Sequence, residues 1–349
     1  MKVLVTGGAG FIGSHVAEYY AKKGWDVVVL DNLSRGETLP KADRRRDVVM
    51  YNWNYLGRFE NIDLVRGDVR DAGTVERLVS DVDTVIHAAA QVAVTSSVRD
   101  PRTDFDVNTL GTFNVLEAAR RAGTDPSIIY CSTNKVYGGN VNRIPVREEE
   151  ERYVFDDPDY RRGIPETFPI DRCEHTPYGC SKLAGDLYAQ DYARVYGLRT
   201  GVFRMSCVYG TRQFGNEDQG WVAHFTISTL RGMPLTIFGD GKQVRDVLYV
   251  GDLIRAFESF LVRCNSLKGE VFNIGGGVEN TASLLELLDL LERLTGKRSR
   301  VIYDEWRPGD QKVYVSDVSK AREALGWVPR IGVEKGLKEL TTWISNNIP

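Results

Sequence analysis

Short apolar runs rich in β-branched residues recur along the chain at residues 3–6, 27–31, 63–66, 84–88, 127–132 and 200–205. Between them, apolar positions fall at helical spacing over 15–23, 74–80, 109–122 and 178–196, and Gly24 and Gly197 stand where two of those helices should stop. Parallel neighbouring strands need a helix-length crossover, so this alternation predicts parallel βαβ units with helices on both faces of the sheet. The expected fold class is α/β, a doubly wound parallel sheet. After residue 205 the rhythm breaks: a loop at 209–221 and a segment at 235–246 precede a helix at 283–294. That change predicts a smaller, interleaved α/β domain. A strand and helix near 247–262 are expected to return to the first domain. The first domain is then 1–203 with about 237–266, and the second about 204–236 with 267–349. The segment 139–172, with an acidic run at 148–151, is long for a connection, and such loops usually carry function or act as lids.

A chain of 349 residues suits one large α/β domain with a smaller partner. With 42% hydrophobic and 27% charged residues it has a globular composition, and no apolar run approaches the ~18–20 residues that span a bilayer. No membrane partner is expected. Met1 to Val5 enter a strand pattern directly, without the regions of a cleavable signal, so the expected location is the cytoplasm. Five cysteines without metal-ligand spacing point to reduced thiols and to no metal site. A net charge of −3 argues against nucleic acid, which needs a concentrated basic surface. The one dense basic run, Arg44-Arg45-Arg46, is flanked by Asp43 and Asp47 and reads as a solvated loop.

Thr6-Gly7-Gly8-Ala9-Gly10-Phe11-Ile12-Gly13 follows the first predicted strand and opens the first predicted helix, the context a dinucleotide-binding turn requires. Gly7 permits the tight turn, Gly10 lets backbone approach a pyrophosphate, and Gly13 allows close helix packing. At Phe11 and Ile12 the helix start offers free N–H groups and its positive dipole end. The sheet is therefore expected to be a Rossmann domain. Asp31, followed by Asn32, ends the second strand, where a carboxylate accepts the adenosine ribose 2′-hydroxyl and repels a 2′-phosphate. NAD is favoured over NADP, with Arg35 the nearby cation that argues the other way. Asp68 and Val69 follow the third strand and Ala88, Ala89 and Ala90 the fourth, at strand ends beside the cofactor crevice. For Val69 and Ala89 ordinary packing is almost as good a reading. Asn108 fits either a helix cap or an anchor for a water or backbone link.

Tyr178 and Lys182 stand four apart near the start of a helix whose first residue is expected to be Pro177, so they share a face. A phenol of pKa about 10 must fall by roughly 3 units, some ~4 kcal/mol, to act as a base near neutrality. The Lys182 ammonium and an oxidised nicotinamide are expected to supply that. The glycine turn, Tyr178 with Lys182, the run Ser132-Thr133-Asn134-Lys135-Val136-Tyr137-Gly138 and Arg307-Pro308-Gly309-Asp310 together resemble an extended short-chain dehydrogenase/reductase from Met1 to about Trp327. The resemblance implies a triad of Thr133, Tyr178 and Lys182, with Thr133 selected over Ser132 as the substrate contact.

Dehydratases of that family carry an acidic pair after the threonine. Here the pair is Asn134-Lys135, which lacks the carboxylic proton and makes dehydration unfavourable. The runs 132–138, 177–182 and 212–221 resemble the family's 2-epimerases acting on CDP-hexoses, and Ser206 stands where 4-epimerases usually have Asn. Extra length at 39–57 sets the chain apart from that branch. The resemblance implies an NAD enzyme that inverts carbon 2 of a sugar nucleotide through a 2-keto intermediate, in the supply of lipopolysaccharide sugars. Tyr178 is the base, Thr133 orients the hydroxyl, Asn134 holds the turning sugar, and Lys182 also binds the nicotinamide ribose. Arg212, Arg245 and Arg307 are the candidates for the diphosphate, since guanidinium suits bidentate phosphate binding. Gln219 is a candidate for framing the nucleotide. A UDP-sugar 4-epimerase, another nucleotide-sugar oxidoreductase, and a non-enzymatic NAD-binding protein remain open. By analogy with relatives, the helices at 109–122 and 178–196 are expected to pair copies into a homodimer or homotetramer.

Overall fold

A computed structural model describes residues 1–35, 46–307 and 309–348, with 46–49 described by backbone alone. The side chains of Arg44-Arg45-Arg46, Asp43 and Asp47, part of the extra length at 39–57, and Pro308 lie outside the described residues. Among the described residues a seven-stranded sheet is built from β1 (Lys2–Thr6), β2 (Asp26–Asp31), β3 (Ile62–Arg66), β4 (Thr84–His87), β5 (Ser127–Thr133), β6 (Thr200–Met205) and β7 (Glu270–Ile274). Its order is β7-β6-β5-β4-β1-β2-β3. β1 pairs in parallel with β2 and β4, β2 with β3, and β4 with β5. Val3, Leu4, Val5, Val27, Val29, Leu30, Val85 and Ile86 are buried in unbroken runs, as a sheet covered on both faces demands. Strand order reverses between β1 and β4, and the carboxyl ends of those two strands flank the crevice where open α/β sheets bind ligands. Three helices matter below: α1 (Phe11–Lys22), α2 (Gly111–Arg121) and α3 (Thr176–Tyr196).

The chain divides into two compact units. The first comprises Met1–Thr133, Thr176–Arg204 and Ile254–Phe272, and the second Asn134–His175, Met205–Leu253 and Asn273–Pro349. The expected division, 1–203 with about 237–266 against the rest, differs in two places, and long-range pairing explains both. Leu248–Tyr249 pairs with Val208–Tyr209 in the second unit, so no strand near 247 returns to the sheet. The strand that does join it is β7, where Val271, Phe272 and Ile274 are buried. Residues 134–175 belong to the second unit and are tied into it instead of lying as a lid. There Val146–Glu148 pairs antiparallel with Tyr153–Phe155, and the Ile164 N–H donates to Val315 O at 2.7 Å. Tyr153 packs in a small core with Val244, Val313 and Val315. The same unit holds a three-stranded sheet of Thr281–Ser283, Val244–Asp246 and Val313–Tyr314, and a helix, Leu284–Thr295, started by a Ser283/Glu286 capping box.

Candidate functional site

Gly7 leaves β1 at φ +67, and a Cβ there would lie 2.7 Å from Ala89 Cα. A Cβ on Gly13 would sit 2.3 Å from Gly7 O, so the start of α1 is pressed against the turn. Gly10 caps α1 with no side-chain hydrogen bond, and the first turn holds no acidic residue. The leading N–H groups, those of Phe11 and Ile12 among them, are thus left to an anion at the positive end of the helix. The Ala88 N–H donates to Thr6 O at 3.2 Å and that of Ala89 to Thr6 Oγ1 at 3.3 Å, which holds the 88–90 strand end against the turn. Asp31 Oδ2 accepts the Ala9 N–H at 3.0 Å and Oδ1 that of Leu33 at 2.8 Å. Burial raises its pKa and these donors oppose the rise. Arg35 is close enough to Asp31 for each charge to stabilise the other. Asn32 Nδ2 donates to Asp68 Oδ2 at 2.8 Å, and Arg70 grips both Asp68 oxygens. Those bonds, the Arg70 pair foremost, hold the Asp68 carboxyl at about 2. Val69 is buried, close against Gly111. A glycine cradle that a Cβ would fill, an anion-ready helix start and a carboxylate at the end of β2 fit NAD.

Thr133, at the end of β5, hydrogen-bonds the Tyr178 phenol through its side chain. Tyr178 and Lys182 lie one turn apart on α3, both buried. The Tyr178 N–H donates to Ser97 Oγ at 3.2 Å, which anchors the start of the helix. In the chain by itself the phenol is pushed up to about 12, whereas the sequence reading expects Lys182 and an oxidised nicotinamide together to bring it down. Burial is the main cause and the charge of Asp104 adds to it, while the Thr133 bond opposes both. Burial also lowers Lys182 to about 8, against the raising effects of Cys131, Asp186 and Asp104. Its Nζ lies 4.2 Å from the centre of the Tyr130 ring, whose hydroxyl donates to Lys182 O at 3.1 Å. Asn108 proves a link: Oδ1 accepts the Gln91 N–H at 2.8 Å and Nδ2 donates to Gln91 O at 2.9 Å and Ser181 Oγ at 3.0 Å. Asp104, Tyr130, His87 and the Asp186–Arg204 pair were not singled out from sequence, because each acts through partners far away in the chain. The one usable signal was charge and ring chemistry inside otherwise apolar strands and helices.

The remaining candidates lie in the second unit. Asn134 directly follows Thr133 and is buried. Its neighbour Lys135 is lowered by burial and by the charge of Arg245, with Asp310 and Cys207 opposing. Arg212 is buried at a left-handed φ of +58, a conformation costly for a side chain of this kind. Arg245 donates from Nη1 to Val244 O at 2.8 Å. The Arg307 guanidinium lies 3.7 Å over the Phe238 ring and donates to Glu217 O at 3.2 Å. Gln219 closes an exposed turn, its N–H donating to Asn216 Oδ1 at 2.9 Å. Arg307 and the Gln219 turn thus meet around Glu217 and Asp218.

The model of the NAD dependent epimerase/dehydratase family matches residues 3–275. CDP-paratose 2-epimerase of Salmonella typhi is 41% identical over 353 aligned residues, covering 99% of this chain and all of that protein. A putative UDP-glucose 4-epimerase of Methanocaldococcus jannaschii is 36% identical, with 99% of each chain covered. Among solved structures, UDP-glucose 4-epimerase of Thermotoga maritima with UDP-glucose superposes at a TM-score of 0.79 with 33% identity over 100% of both chains. The Thermus thermophilus UDP-glucose 4-epimerase complexed with NAD gives 0.77 and 34%, again over 100% of both.

Proposed function

Since the chain belongs to the NAD-dependent epimerase/dehydratase family, we propose that it is a nucleotide-sugar epimerase that inverts carbon 2 of a CDP-hexose. The observation that carries this reading is its similarity, over the whole length, to CDP-paratose 2-epimerase, together with the Asn134-Lys135 pair after Thr133. NAD, when bound, supplies a hydride acceptor that becomes the hydride donor of the return step. The protein's part is to move a proton and to hold the sugar. Tyr178, as phenolate, takes the proton of the carbon 2 hydroxyl while hydride leaves that carbon, and a 2-keto sugar results. After the ketone turns over, Tyr178 returns the proton as hydride arrives on the opposite face. Configuration inverts with no net redox change. Thr133, hydrogen-bonded to the phenol, orients the hydroxyl. Lys182 binds the nicotinamide ribose beside it and Asn134 steadies the turning ketone. Gly7, Gly10, Gly13 and Asp31 hold the dinucleotide, with Asn32, Asp68 and the 88–90 strand end around it. Arg212, Arg245 and Arg307 take the diphosphate and Gln219 borders the nucleotide.

Two copies pair through α2 and α3, where Leu187, Tyr188, Val195 and Tyr196 of α3 are exposed. A UDP-sugar 4-epimerase is the second reading, favoured by the Methanocaldococcus relative. One experiment separates them. Purified protein is incubated with CDP-hexoses deuterated at carbon 2, and with UDP-hexoses, and followed by NMR. Inversion at carbon 2 with deuterium retained is expected. Washout of the label, inversion at carbon 4, or loss of water would each replace this assignment. In Tyr178→Phe turnover should fall by roughly 10²–10⁴-fold.

A further inference from the structure

A buried ammonium ion needs a partner to replace the water it gives up. Lys182 is only 3% exposed and forms no ion pair among the described residues. Asp186, one turn further along α3, is already claimed: Arg204 Nε reaches its Oδ2 at 2.9 Å and Nη2 its Oδ1 at 3.1 Å. Ser132 and Gln190 donate to the same carboxylate. What meets the ammonium is an aromatic ring. Lys182 Nζ stands over Tyr130 at 4.2 Å from the ring centre, well inside the ~6 Å within which a ring face attracts a cation.

The ring is itself held in place. Its hydroxyl donates to Lys182 O at 3.1 Å, so one side chain meets both ends of the same residue. That hydroxyl has room only because residue 185 is glycine, where a Cβ would lie 2.4 Å from it. Glycine inside a helix costs backbone entropy, and the phenol is what this one admits. Tyr130 is 1% exposed, and burial holds its phenol well above the ordinary value, so the ring stays a neutral π face. Burial brings Lys182 down to about 8, close enough to neutrality that its partner decides how much of it is charged.

We propose that Tyr130 is a positioning residue for the Tyr178–Lys182 pair: its ring seats the Lys182 ammonium and its hydroxyl fixes the backbone of the same residue. The inference rests on Tyr178 and Lys182 being the reacting pair, not on which sugar they meet. The titratable groups around the lysine are Tyr178 and Asp186 on α3, Tyr130 and Cys131 on β5, His87 on β4 and Asp104 on the helix Pro101–Phe105. Burial raises Cys131 to about 12 and lowers His87 to about 3, so both are neutral at pH 7. The two carboxylates are the same in every variant below.

The test follows Lys182 itself. Protein labelled with carbon-13 at the lysine ε position is titrated by NMR without a sugar nucleotide, and the Lys182 signal is the one missing from Lys182→Met. Tyr130→Leu removes the π face, and the Lys182 midpoint should move toward acid by about one pH unit or more. Tyr130→Phe keeps the face and loses only the hydroxyl bond, so its midpoint should stay within a few tenths of a unit of the wild type. Loosened packing has the opposite sign, because water entering the core lets Lys182 rise toward its ordinary value. A midpoint that stays or rises in Tyr130→Leu overturns the proposal. So does an equal acid shift in Tyr130→Phe, because the ring face would then not be the cause. If Tyr130→Leu does not fold, Tyr130→Met, which fills the gap with a flexible chain, is read in the same way. No sugar is present, so a wrong substrate assignment leaves the result standing. Full turnover by Tyr178→Phe, in contrast, would remove the pair on which the inference rests without moving this titration.

Discussion

His87 ends β4 with both ring nitrogens engaged, Nδ1 lying 2.7 Å from Thr6 Oγ1 and Nε2 3.0 Å from Thr112 Oγ1. Thr112 gives its own proton to Asn108 O at 2.6 Å, so it accepts from Nε2–H, and Nδ1 is left to accept from Thr6. A neutral imidazole satisfies both sites. Burial, helped by the charge of Lys182, lowers this histidine from 6.5 to about 3. The folded-state pKa lies below the unfolded one, so in the window between them the unfolded chain binds the extra proton. The contribution to stability is complete above pH 6.5 and is lost as pH falls toward 3. Between pH 6.5 and 5 the loss should be about 1.5–2 kcal/mol. Urea unfolding of the wild type and of His87→Gln at pH 7 and pH 5 measures it. The variant should decline less on acidification, and equal declines would mean that His87 is charged in the folded protein. Burial acts on Tyr178 in the same way, disfavouring its charged form and raising the phenol to about 12. Charge pairs can be read from spacing, whereas desolvation depends on what the rest of the chain packs around the group.

At the scale of elements, α1 and its glycine turn are one unit. A Cβ on Gly13 meets a backbone carbonyl at 2.3 Å, which cannot swing aside as a flexible side chain can. Gly13→Ala should therefore weaken NAD⁺ binding by roughly 5- to 150-fold, the effect of an overpacking cost of about 1–3 kcal/mol. Calorimetric titration checks it, and wild-type affinity would show that α1 can shift without disturbing the turn. This motif was legible because strand, turn and helix are contiguous and their demands local. α3 was legible for the same reason, with its start at Thr176–Pro177 and its end before Gly197, at φ +77. The segment 139–172 was not. Its partners, Val315 and the strand Val244–Asp246, stand far along the chain, and nothing in its own pattern announces them.

For the whole molecule, the outstanding matter is what covers the apolar side of α3. Exposed Leu187, Tyr188, Val195 and Tyr196 lie with ring contacts at 6.2 Å between Tyr188 and Tyr192 and 4.9 Å between Tyr192 and Tyr196. Contiguous apolar surface of this kind marks an interaction site. Sedimentation should give about twice the 39.2 kDa of one chain. Leu187→Glu combined with Val195→Glu should give single chains that still bind NAD⁺. A wild-type protein that sediments as a monomer would refute the pairing.

The amino-acid order by itself determined the parallel βαβ core, the glycine cradle, Asp31 at its strand end, and Tyr178 with Lys182 on one helix face. Each of these is a contract between residues within about one element of each other. Tertiary structure alone decided that β7 completes the sheet and that 134–175 joins the second unit. It also decided that Tyr130 lies under Lys182. Those outcomes depend on pairings and burial among residues distant in the chain, and burial sets the energy of a charge only after folding has chosen its neighbours.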